Sequence, residues 1–181
     1  MSAAALQTTA GVITVGAGIT FALAWLTSIA FSEPTMAGVE LSRWLALAAH
    51  ILMLLGLVGI YLVQANRSGA WGLTGFLLAF TGVAIFIGYV VGGWTAAIPE
   101  PRLGPIGGLL WLSGLLILAV VTWQSGVLAR WAGVLWFVGA VVYATGVPGG
   151  PDDTPRVTAL IGALLIAAGF SWAGSSILTM D

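Results

Sequence analysis

His50 is the one side chain in the apolar stretches of this sequence that titrates near neutral pH. It lies within Arg43 to Gln64, RWLALAAHILMLLGLVGIYLVQ, framed by Arg43 and Trp44 at one end and by Tyr61 and Gln64 at the other. Seven residues at about 1.5 Å each place it roughly 10 Å below the helix end marked by Arg43, too deep for easy snorkelling. Three kinds of chemistry are open to an imidazole there. It can hydrogen-bond a Ser, Thr or carbonyl of a neighbouring helix. It can be a cofactor-binding residue, the axial ligand to the metal of a haem or (bacterio)chlorophyll, or it can serve a proton or substrate role. A single His suffices for a chlorophyll magnesium, whereas a six-coordinate b-type haem needs a second ligand and the chain has no second His.

The chemistry that is missing narrows the field. No Asp, Glu, Lys or Arg falls in the middle of any apolar stretch, which speaks against an ion-coupled transporter. Paired carboxylates, a metal cluster and a Ser with a base are all lacking in these stretches, so no embedded hydrolase is legible and the reading leans away from an enzyme. There is no Lys to hold retinal as a Schiff base and no Cys for a disulfide or a thiolate site.

The elements that must position His50 follow from composition. With 60% hydrophobic and 6% charged residues and a mean hydropathy of +1.09, a chain of 181 residues cannot bury its apolar side chains in a water-soluble fold. It needs lipid as its solvent, and a helix needs roughly 20 apolar residues to cross the hydrocarbon. The expected fold is therefore all-α: a single polytopic domain over 1–181, six transmembrane helices in an up-and-down bundle. The spans read as 10–31, 42–65, 70–94, 105–124, 127–147 and 156–178. A net charge of −1 with scattered arginines offers no surface for nucleic acid.

Local signals support that division. Pro34 ends or caps the first span, and Asn66-Arg67-Ser68-Gly69-Ala70 reads as a tight turn. Gly72, Gly75, Ala79 and Gly82 recur at three- and four-residue spacing and form one small-residue helix face, which predicts close approach of a neighbour. Gly11, Gly16 and Gly18 predict the same for the first span, and GxxxG spacing occurs at Gly88/Gly92 and Gly104/Gly108.

A weak internal repeat overlies the spans. Arg43 precedes Gly56-Leu57, Arg102 precedes Gly114-Leu115 and Arg156 precedes Gly169-Phe170 at nearly equal separations, while Gln64 and Trp71 match Gln124 and Trp131. Three consecutive helical hairpins are the implied plan. One end of the bundle would then collect Glu33, Glu40, Arg43, Glu100, Arg102, Asp152, Asp153 and Arg156, expected to act as structural interfacial ion pairs. The acid-free turns with Arg67 and Arg130 favour a cytoplasmic position for those turns and for both termini, in a multi-pass protein of the cell membrane.

Of nine tryptophans, Trp44, Trp71, Trp94, Trp123 and Trp131 fall near expected helix ends and read as an aromatic belt. Trp25, Trp111, Trp136 and Trp172 fall deeper, as core packing or as walls of a site for a flat lipophilic molecule such as a quinone, carotenoid or chlorin. The function expected first is a non-catalytic subunit or scaffold of a larger membrane complex, respiratory or photosynthetic, in contact with lipids and other membrane subunits and holding a pigment or lipid. The alternative is a small facilitator for a neutral or lipophilic molecule, with Thr74, Thr81, Tyr89, Ser113, Thr145 and Ser171 lining its path. A His50-centred redox protein is the third reading.

Overall fold

A computed structural model describes residues 2–30, 36–94, 103–146 and 154–180, without the side chains of residues 3, 36–40, 93–94 and 154–156. The described residues form five α-helices: α1 (Ala3–Ala30), α2 (Met36–Trp94), α3 (Leu103–Ser125), α4 (Arg130–Gly146) and α5 (Thr154–Leu178). Prolines enter these helices only within the first turn, Pro105 in α3 and Pro155 in α5, where the missing N–H has no intrahelical partner to lose. The start of α1 is capped by Ser2, whose hydroxyl accepts the Ala5 N–H at 3.2 Å.

Four of the helices are long and apolar enough to cross a membrane: α1, α2, α3 and α5. This differs from six separate spans in two places. The second and third expected spans are one element, α2, and α4 has 17 residues, the lower limit for a crossing helix.

Within α2 the helix is interrupted at Gly69, with φ 54° and ψ −153°. That backbone conformation is almost exclusive to glycine. It turns the chain back on itself, as two ring pairs demonstrate. Tyr61 stacks on Phe76 with centroids 4.7 Å apart, and His50 lies 5.4 Å from Phe86. In a continuous helix those pairs would be separated by about 22 and 54 Å, at 1.5 Å per residue. Both pairs are centred on residues 68–69, so the arms 36–68 and 70–94 run antiparallel as a hairpin.

The six helical segments close into a ring. The first arm of α2 packs on α1, where Gly56 faces Thr14 and Gly59 faces Ala10. The second arm packs on α3 through the small-residue face: a Cβ at Gly82 would strike the Trp111 backbone, and one at Gly75 would come 2.9 Å from Ile117 Cγ2. From α3 the ring passes to α4 at Gly133, to α5 at Gly139 and Gly162, and back to α1 at Gly18 and Gly174. Gln7 fastens the closure, its side-chain amide donating to the carbonyls of Ile177 (3.0 Å) and Met180 (2.7 Å) at the end of α5.

Gly88, Gly104 and Gly108, from the two GxxxG pairs, take no part in these backbone contacts. Gly88 has nothing within 4 Å, and Gly104 and Gly108 face only the rings of Tyr89 and Phe86 at 3.7 and 3.8 Å. The centre is filled by Phe21, Met53, Leu57, Ile60, Leu115, Leu118, Trp136, Ile166 and Phe170, all buried. Large apolar side chains also cover the outside, among them Val12, Leu62, Leu77, Leu109 and Ile161. An apolar exterior over an apolar core suits lipid as the surrounding medium.

Candidate functional site

His50 sits in the first arm of α2, one helical turn after Ala46. Its Nδ1 is hydrogen-bonded to the Ala46 carbonyl. A carbonyl oxygen can only accept, so Nδ1 carries the proton. In the neutral ring this leaves Nε2 as an unprotonated nitrogen with a free lone pair. The opposite tautomer would turn an Nδ1 lone pair onto the same carbonyl oxygen. The helix itself therefore sets which edge of the imidazole is available, and it is the edge directed away from the His50 backbone.

His50 borders a cavity of about 350 Å³, bounded by α1, both arms of α2, α3 and α4, and with Nδ1 turned to its own helix the other edge of the ring is the one it can offer there. Its walls are aromatic. Phe21 lies edge-on to His50 at 6.2 Å and to Trp111 at 5.7 Å; Phe86 lies 5.4 Å from His50 and 6.0 Å from Trp111. These four rings close a quadrilateral. From Trp111 the wall continues to Tyr143 at 5.6 Å and from Tyr143 to Trp25 at 5.4 Å, each pair edge-to-face. Ser28, Ser42, Arg43 and Tyr89 add polar groups to the lining. Arg43 is exposed, and one helical run separates this charged end from His50 at a distance of about 10 Å.

One polar nitrogen is left for the cavity, His50 Nε2. The Nε1–H of Trp111, 2% exposed, has no acceptor among the described residues, but it is fully enclosed and does not open onto the cavity that other atoms of Trp111 help to wall. Leaving such a donor unmet costs on the order of 1–3 kcal/mol. Trp136 Nε1–H likewise has no acceptor among the described residues, and Trp136 is sealed in the core between α4 and α5, absent from the cavity wall.

The residues singled out from the sequence are distributed unevenly over this geometry. His50, Trp25 and Trp111 come together in the cavity. Trp136 is core, and Trp172 is exposed on the outside of α5. Trp44, Trp71, Trp123 and Trp131 are exposed at helix ends, as expected for a belt, and the Trp94 side chain lies outside the described residues. Glu33, Glu100, Arg102, Asp152 and Asp153, with the side chains of Glu40 and Arg156, also lie outside the described residues.

The polar side chains expected along a transport path are not brought together. Thr74, Thr81, Ser113 and Thr145 are exposed on the outside of the bundle, with Thr74 and Thr145 donating to the Ala70 and Val142 carbonyls of their own helices. Ser171 packs at Gly18 and donates to Ala167; only Tyr89 reaches the cavity. Phe21, Phe86 and Tyr143 were not singled out by sequence. Their common feature is position on helix faces that meet across the bundle, which no local motif records.

A second polar cluster lies near the hairpin turn. Gln64, 1% exposed, accepts from Thr122 Oγ1 at 3.3 Å and Ser125 Oγ at 3.4 Å, while its Nε2 has no acceptor among the described residues. It ties the first arm of α2 to α3 and lies far from His50 along the helix. No group of three or more His, Cys, Asp or Glu that could hold a metal ion occurs among the described residues. Compared with known proteins, the chain matches no family model, no curated protein and no solved structure.

Proposed function

We propose that this protein is a non-catalytic integral membrane bundle that holds a small lipophilic molecule in the aromatic cavity at His50, and that it serves as a ligand-carrying subunit of a larger membrane assembly. The observation that carries the reading is the convergence of an open 350 Å³ cavity, seven aromatic or imidazole rings and a free imidazole nitrogen, contributed by four different helices. A volume of this order falls at the small end of ligand sites, which run from about 300 to 1,000 Å³. Apolar walls with a few fixed polar groups are what such sites have in common.

In this reading the chain crosses the membrane six times. The Gly69 reversal makes α2 two crossings, and α4 crosses with little tilt because of its length. The three hairpins then follow as α1 with the first arm of α2, the second arm with α3, and α4 with α5. The termini, the Gly69 turn and the Gly126 turn share one side, and the cavity opens toward the other. The cytoplasmic placement of the termini belongs to the same proposal.

Native mass spectrometry of the protein drawn from its own membranes in mild detergent tests it. The expected spectrum contains a small-molecule adduct that is lost in His50→Ala, with partner subunits at higher mass. A bare chain carrying only bulk lipid, unchanged by His50→Ala, would overturn the proposal.

A further inference from the structure

We infer that the molecule held at His50 is a single aromatic ring bearing a hydroxyl group, of the phenol or hydroquinone type, with its O–H donating to His50 Nε2. This rests on the cavity being a ligand site and adds the ligand's chemistry.

The argument starts from the tautomer. Because Nδ1 donates to the Ala46 carbonyl within the same helix, Nε2 is fixed as an acceptor before any ligand arrives. An acceptor selects a donor. A quinone or ketone carbonyl placed there would face a lone pair with a lone pair, and reversing the tautomer would set Nδ1 against the Ala46 oxygen. The described lining contains no carboxylate to balance a cationic amine, so a neutral hydroxyl is the donor that fits.

The walls then set the size and flatness. His50, Phe21, Trp111 and Phe86 stand in a closed circuit with sides of 5.4 to 6.2 Å. Rings at these spacings already touch, so a ligand lies beside the circuit, in the 350 Å³ cavity whose aromatic walls favour a flat molecule and whose volume is at the small end of ligand sites. A metal macrocycle would need a slot several rings wide at Nε2, and Phe21 and Phe86 both stand beside that imidazole.

The test compares tetramethylhydroquinone with tetramethylbenzoquinone, two molecules of nearly one shape that differ in whether the ring oxygens donate. Binding to the whole detergent-solubilised protein is measured by isothermal titration calorimetry, the hydroquinone under anaerobic conditions. The hydroquinone is expected to bind about tenfold more tightly, the ratio that one hydrogen bond of ordinary net strength supports. His50→Phe should reduce that preference to within threefold. The wild-type comparison stands even if the variant fails to fold.

Equal or tighter binding of the quinone overturns the inference while leaving the cavity as a ligand site. So does recovery of a haem- or chlorin-sized adduct in the native spectrum. Binding of neither probe, together with a bare native spectrum, overturns the ligand site itself. Each failure is thereby assigned to its own step.

Discussion

Replacing Gly114 by Ala adds one methyl group where two helices touch backbone to backbone. Gly114 of α3 faces the second arm of α2, and a Cβ there would lie 2.6 Å from the Gly75 carbonyl oxygen and 2.7 Å from Ala79 Cα, closer still to Ala79 N. Ordinary contact begins at 3.4 Å, so the helices must separate by about 1 Å. Neither obstacle is a flexible side chain that can swing aside. A gap of that size forfeits roughly a quarter to a half of each dispersion contact along the interface. Overpacking of this kind costs about 1–3 kcal/mol, and the backbone obstacles put Gly114→Ala at the upper end, about 3 kcal/mol. The matched control is Gly88→Ala on the same pair of helices: nothing lies within 4 Å, so no steric cost arises and the helix propensity gain of about 0.5–1 kcal/mol remains. Reversible unfolding in mixed micelles of mild detergent and dodecyl sulfate measures both. The reasoning is refuted if Gly114→Ala unfolds within 0.5 kcal/mol of the parent, about the spread of a neutral surface substitution.

Three further substitutions separate the parts of the fold. Gly69→Ala puts a side chain at φ 54°, ψ −153° with open space around it, so its cost of about 1–3 kcal/mol is backbone strain alone, and the same unfolding assay should show it. Trp136→Ala empties a fully buried position packed on Phe170 at 5.3 Å and should cost about 3–5 kcal/mol, whereas Trp172→Ala on the exterior should fall below 1 kcal/mol. Gln64→Leu removes the unmet Nε2 but strips the fully buried Thr122 hydroxyl of its acceptor, so stability should fall by about 1–3 kcal/mol, and adding Thr122→Val should recover most of that; an unchanged single variant would refute the pairing.

How much of this was legible in the sequence depends on whether the signal is local. The Gly69 turn was legible because the Asn66–Ala70 run is polar and holds a glycine, free to take the positive φ that the reversal requires. The small-residue face at Gly75, Ala79 and Gly82 was legible because three- and four-residue spacing maps onto one helix face whatever lies opposite. The same spacing at Gly88 and Gly92 left the partner open, and Gly88 has nothing within 4 Å: periodicity specifies a face and is silent about its neighbour. His50 stood out by its chemistry, and Trp25 and Trp111 by depth. Trp136 had equal depth and became core, Trp172 faced outward, and Phe21, Phe86 and Tyr143 gave no signal at all. Their convergence depends on how α1, α3 and α4 are rotated against the α2 hairpin, which is fixed by contacts between residues distant in sequence. The polar residues expected to line a path failed for a related reason: Thr74 and Thr145 spend their hydroxyls on their own helices and so can face outward at little cost.

The single histidine makes one measurement unusually direct. Growth with ¹⁵N-labelled histidine places the label on one imidazole in the whole protein, so a nitrogen spectrum of the protein purified without a histidine tag, with its bound lipophilic molecules retained, reads the imidazole of His50 alone. The account predicts a protonated Nδ1 and an unprotonated Nε2 whose resonance moves when bound lipophilic molecules are extracted and returns when they are restored. A proton on Nε2, or an Nε2 resonance indifferent to extraction, would contradict the claim that this nitrogen faces a ligand.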